Sequence, residues 1–293
     1  MHMAQKHNMP SKLHGYLTLT KPEVNLLVLM TTTTGFYLGS HKPLHAIGLA
    51  YTLSGTLLVA SGTATLNQWM ERGWDGQMRR TANRPLPSGR VTPREAFWFG
   101  MMLSIAGGLF LAITVNRLAS ALAITTLLFY LLIYTPLKRK TSMCTLLGAI
   151  PGAMPALIGW AGAGASIGVD ARAWFLFLVV FLWQFPHFLA IALMYRDDYS
   201  RAGYNMLPDF DGDGSFTRKE IVGTSLLLIM TTLLLASRAG PLAIISIGLA
   251  GLFLLYHAVS LMKTRSRVAA SRLIHASVLY LPIVLVIATA YKI

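Results

Sequence analysis

Apolar stretches near the length that crosses a bilayer, about 20 residues, recur along this chain at approximately 22–40, 44–69, 95–115, 118–136, 145–164, 173–194, 220–237, 241–261 and 273–291. Polar segments punctuate them. This pattern predicts nine membrane-spanning helices in one all-α domain covering residues 1–293, with residues 1–20 as a polar N-terminal segment. Composition agrees, because 54% of residues are apolar and only 12% charged, against about 25% charged in soluble proteins. Disorder is excluded by a mean hydropathy of +0.56 and 10% aromatic residues. The single cysteine, Cys144, rules out a disulfide framework, a cysteine-ligated iron–sulfur cluster and a CxxCH haem attachment.

The net charge of +14 changes the picture only through its placement. With the N-terminus inside, 20 of the 25 lysines and arginines fall on inner loops and tails, and five fall outside: Lys42, Arg117, Arg172, Arg238 and Lys292. The positive-inside rule accounts for that asymmetry without a nucleic-acid partner. The first twenty residues hold His2, Lys6, His7, Lys12 and His14 without the apolar core of a signal peptide, and they lack the Arg- and Ser-rich amphipath of a transit peptide. The expectation is a multi-pass protein of a prokaryotic plasma membrane with a cytoplasmic N-terminus.

Ten of the eleven acidic residues also lie inside, and only Asp170 lies outside. Carboxylates contribute little to orientation, so their clustering calls for a chemical reason. Asn67, Glu71 and Asp75 stand at i, i+4 and i+8 where the second span ends, a spacing that turns only about 40° per step and puts three oxygen donors on one helix face. Such a stripe suits Mg²⁺ shared with substrate phosphates. The basic run Met78–Pro87 follows, able to hold a diphosphate through Arg80 and Arg84. A solvated helix end with topological arginines is the competing reading. A second inner-end cluster, Asp197-Asp198, follows the sixth span, and its repetition suggests two related halves facing one cavity. Within that span Gln184 and His187 are polar groups in apolar helix, serving either a substrate or a neighbouring helix. His257 reads as an interhelical contact.

Asn67-Gln-Trp-Met-Glu71-Arg-Gly-Trp-Asp75 with Met78-x-Arg80-Thr81-x-x-Arg84-Pro85-Leu86 resembles the first signature of the UbiA superfamily of intramembrane prenyltransferases. Tyr134–Arg139, Gly148–Pro155, the Trp183-Gln184-x-Pro186-His187-Phe188 segment and Asp197-Asp198-Tyr199 with Ala202-Gly203-x-x-Met206-Leu207-Pro208 are similar to its haem-modifying branch. Glu71 stands where many members have Asp. The DxxxD of the second signature is reduced here, with Met194 four residues before Asp198, which leaves open whether Asp197 or Asp198 meets metal.

The resemblance implies a UbiA-like bundle of about nine helices around a central cavity open to membrane lipid. It further implies Mg²⁺ on Asn67, Glu71, Asp75 and Asp198, with Asp197 beside it, and a diphosphate neutralised by Arg80, Arg84, Lys138 and Arg139. The implied reaction is farnesyl transfer from farnesyl diphosphate to the 2-vinyl group of haem B, near the cytoplasmic side, with His187 and Gln184 as haem contacts. A haem A synthase or terminal oxidase assembly would take the product. A UbiA-type enzyme acting on a quinone or chlorin precursor and a multi-pass transporter are the alternatives. Finally, Asp209–Glu220 fits the EF-hand pattern D-x-D-x-D-G-x5-E, although Pro208 stands where an entering helix belongs. We expect a helix cap there, with Thr217 and Glu220 as a capping box, while a Ca²⁺ or auxiliary Mg²⁺ site stays open.

Overall fold

A computed structural model describes residues 11–40, 44–168, 170–237 and 239–292; Lys42 and Arg238, two of the five outer cations, lie outside the described residues. All regular structure among them is helical. A short α1 (Lys12–Leu19) leads into α2 (Pro22–Gly39), α3 (Ala46–Asp75), α4 (Pro93–Thr114) and α5 (Arg117–Leu128). A π-helical turn, Phe129–Tyr134, joins α5 to the single turn α6 (Thr135–Leu137). Then come α7 (Cys144–Gly162), α8 (Ala171–Met194), the short α9 (Arg196–Arg201) and α10 (Leu207–Phe210), and finally α11 (Ser215–Ala236), α12 (Pro241–Thr264) and α13 (Arg267–Tyr291). Among the described residues, eight long helical segments are apolar enough to cross a membrane, counting Arg117–Leu137 as one. The predicted first span, α2, has 18 residues and is diluted by Thr31–Thr34, yet it packs against α3, α7 and α13 like the others.

Consecutive helices pack as neighbours, and contacts of α13 with α2, α8 and α12 close the bundle. The buried core runs through α7, α8 and α13. Side chains such as Ile113, Leu132, Met230 and Leu249 point outward and are more than 60% exposed, the arrangement that lipid selects. Between helices, where lipid is as apolar as leucine, close approach of small residues supplies the packing. A Cβ on Gly159 would stand 2.0 Å from the Thr32 carbonyl oxygen, and one on Gly35 2.2 Å from that of Ala156. Backbone cannot give way there. Gly159→Ala is therefore expected to lower stability by about 1–3 kcal/mol, read as a fall in the unfolding midpoint in detergent.

Two sequence expectations change at the start of α11. That helix begins at Ser215, and Thr217 with Glu220 forms no capping box. Asp211 instead accepts from the backbone N–H groups of Phe216 and Thr217, and Asp213 accepts from that of Ser215. Arginines surround the same loop. Arg196 donates to the Gly212 carbonyl and lies 3.6 Å from Asp209, while Arg218 and Arg265 lie near Asp213. Guanidinium groups and N–H donors thus engage Asp209, Asp211 and Asp213, three of the residues whose oxygens an EF-hand would turn toward its ion.

Candidate functional site

The last two turns of α3 carry Asn67, Glu71 and Asp75 on one buried face, at 1%, 5% and 0% exposure. Chain segments folded back over them satisfy each one. After α3 the chain makes a compact turn in which Thr81 donates to the Asp75 carbonyl (2.7 Å), and this returns Arg84 to its own helix end. Its Nη1 donates to both Asp75 carboxylate oxygens at 2.7 and 2.8 Å. Lys138 arrives from the other side. The π turn before Pro136 lets Thr135 accept from Asn67 Nδ2 (3.1 Å) and sends the Lys138 ammonium to Glu71 Oε1 at 2.8 Å, over the Tyr134 ring. Extra-residue turns of this kind, next to a proline that leaves a carbonyl free, are a recurrent way to aim functional side chains. Burial opposes the Lys138 charge, but neighbouring Glu71 outweighs it and holds the ammonium well above its ordinary pKa.

Lys21 completes the group and was missed in the sequence. It lies in the left-handed region (φ 50°) between α1 and α2, a conformation uncommon outside glycine, which directs its ammonium to Asn67 Oδ1 at 3.4 Å. Burial, with Arg84 and Lys138 nearby, pulls its pKa down to about 7. Two cations and a third amine, Lys21, only partly protonated at neutral pH, therefore face two carboxylates. The cluster attracts an anion, and it presents oxygen ligands alone on the α3 face.

The other predicted residues sit around this centre. Arg80 donates to the Tyr199 hydroxyl (2.8 Å) and lies over the Tyr195 and Tyr199 rings, tying the turn after α3 to α9. Arg139 stacks on Trp74. Asn205 donates to the backbone oxygens of Lys138 and Arg139, so the segment after α9 is fastened to the one after α6. Asp198 is buried and accepts from Arg201 (2.6 Å), whereas exposed Asp197 pairs with Arg267. The two acidic clusters thus share one end of the bundle, but each is held by its own cations.

Higher in α8, Gln184 donates to the carbonyls of Ala149 and Val180, and its Oε1 covers Gly152, locking α8 to α7. His187 stacks on Trp183 and bonds Ser277 of α13 through Nδ1 at 2.8 Å.

The fold and site together define a helical bundle, apolar enough to cross a membrane, with basic side chains gathered around buried carboxylates at one end. The sequence pattern of the UbiA prenyltransferase family matches residues 28–281. A relative from Solibacter usitatus, named protoheme IX farnesyltransferase, is 44% identical over 93% of this chain and 96% of its own. Among solved structures, a digeranylgeranylglyceryl phosphate synthase is similar with a TM-score of 0.75, at 19% identity over 96% of this chain and 98% of its own. A UbiA homologue from Archaeoglobus fulgidus bound to GPP and Mg²⁺ has a TM-score of 0.63, at 16% identity over 93% and 99%. At those identities the structures speak for the fold. The chain belongs to the UbiA prenyltransferase family.

Proposed function

We propose that this protein transfers the farnesyl group of farnesyl diphosphate to the 2-vinyl group of haem B, yielding haem O. The observation that carries the site assignment is the excess of basic groups, Lys21, Arg84 and Lys138, around buried Glu71 and Asp75, which suits a diphosphate. Identity to a named haem farnesyltransferase along nearly the whole chain supports the acceptor.

Asn67, Glu71 and Asp75 are the residues that would hold Mg²⁺, their all-oxygen donor set fitting a hard cation, and Asp198 from α9 would join them only by giving up its bond to Arg201. Bound there, the ion would add its charge to the stabilisation of the departing diphosphate. Arg84, Lys138 and Lys21 bind the diphosphate and neutralise it, with Arg80 and Arg139 at the rim. The allylic C–O bond breaks and the diphosphate leaves with the electron pair. The vinyl π electrons form the new C–C bond, and the resulting cation at the other vinyl carbon takes water and loses a proton, giving a hydroxyethylfarnesyl chain. No covalent enzyme intermediate is needed. His187 is the proposed haem contact, with Gln184 beside it holding α7 in place. We place the protein in a prokaryotic plasma membrane with this end cytoplasmic and the farnesyl chain in lipid, the product passing to a haem A synthase or terminal oxidase.

Purified protein given haem B, farnesyl diphosphate and Mg²⁺ is expected to form a pigment heavier by one farnesyl and one hydroxyl group, read by mass spectrometry. Prenylation of a quinone or chlorin precursor with haem left intact would replace this acceptor, and transport without any covalent product would refute the enzyme.

A further inference from the structure

Tyr204 lies in none of the charged motifs, yet it is fixed beside the cluster. Its backbone N–H donates to the Tyr199 carbonyl, and the next N–H, of Asn205, donates to the Lys138 carbonyl at 2.9 Å. The left-handed turn at Gly203 (φ 70°) folds the ring inward. There it is 3% exposed, packed with Met78, Cys144 and Met206 and edge-on to Tyr199. Its hydroxyl is buried without a hydrogen-bond partner. Buried hydroxyls normally find one. Two other phenols in this protein do: Tyr280 meets Thr232 at 2.6 Å, and Tyr199 accepts from Arg80.

The ring packs against Met78, three residues past Asp75, and the neighbouring N–H is tied to the Lys138 carbonyl, so the orphan hydroxyl is buried beside the cluster. Burial, reinforced by Glu71, raises its pKa, and the group remains a donor. Lys138 already engages Glu71, and Arg84 engages both oxygens of Asp75. An incoming diphosphate would bring free acceptor oxygens.

We propose that the Tyr204 hydroxyl donates a hydrogen bond to the prenyl diphosphate, making it a further catalytic residue; this rests on the reading of the Glu71, Asp75, Lys138 and Arg84 cluster as the diphosphate site. Tyr204→Phe keeps the ring and its packing and removes only the donor. The test measures binding of farnesyl thiolodiphosphate, a slowly ionising analogue, with Mg²⁺ by titration calorimetry in detergent, alongside the ligand-free unfolding midpoint. Tyr204→Phe is expected to bind about tenfold more weakly, the range for a hydrogen bond to a charged group, with a midpoint equal to wild type or higher. Tyr280→Phe should do the reverse, lowering the midpoint and leaving binding unchanged. Wild-type affinity in Tyr204→Phe would overturn the proposal, and so would a lowered ligand-free midpoint, since that means the hydroxyl bonds to protein. Failure of the wild type to bind the analogue would instead refute the diphosphate reading of the cluster, and this inference with it.

Discussion

Asp75→Asn should slow farnesyl transfer by at least about a hundredfold, the scale on which loss of one charge-stabilising group acts in an active site, while the protein still inserts and folds. Asp75 is fully buried, and both its oxygens accept from Arg84. Asparagine keeps the volume and one acceptor oxygen but removes the charge that orients Arg84 and would support the metal. The same substitution at Asp211 provides the contrast. Asp211 caps the start of α11 by accepting from Phe216 N–H at one carboxylate oxygen and from Thr217 N–H at the other, and asparagine keeps one of these two acceptors. Its expected effect on turnover is less than about twofold, with a stability loss of about 0.5–1 kcal/mol. Both variants go into one assay across a Mg²⁺ series with Ca²⁺ chelated. An inactive Asp211→Asn beside a near-normal Asp75→Asn would move the functional metal to the 209–220 loop.

That contrast also shows where spacing alone misleads. Asp209 to Glu220 fits an ion-binding loop position by position, but a pattern of acidic residues does not say which donors will claim them, and here arginines from α9, α11 and the turn after α12 arrive along with backbone N–H groups. Arg265 has no acidic residue in its own loop, yet the fold brings it 3.6 Å from Asp213. By contrast, the stripe at 67, 71 and 75 was legible because one helix carries it, and helical geometry is local. The spans were legible for the same reason, with α2 least distinct because its threonines bond to their own helix and dilute the apolar run. Lys21 and Tyr204 were not legible. One depends on a left-handed residue between two helices, and the other on a glycine turn fastened to a strap 66 positions away in sequence.

Lys138→Met is expected to lower stability by about 3–5 kcal/mol, since it strands Glu71 as an uncompensated buried carboxylate. The lysine and glutamate are 11% and 6% exposed at the side chain and meet at 2.8 Å. Glu71→Gln in the same chain removes the stranded charge, so the double variant should regain most of the unfolding midpoint, because neutral replacement of a buried pair is often tolerated. Activity should not return with it. If Lys138 neutralises diphosphate and Glu71 supports the metal, the double variant lacks both and stays at least about a hundredfold below wild type. The two readouts therefore separate two roles of one ion pair: the midpoint follows charge balance inside the bundle, and turnover follows the charges themselves. A double variant that recovers turnover together with its midpoint would reduce the pair to a structural strut and leave Arg84 and Asp75 as the core of the site.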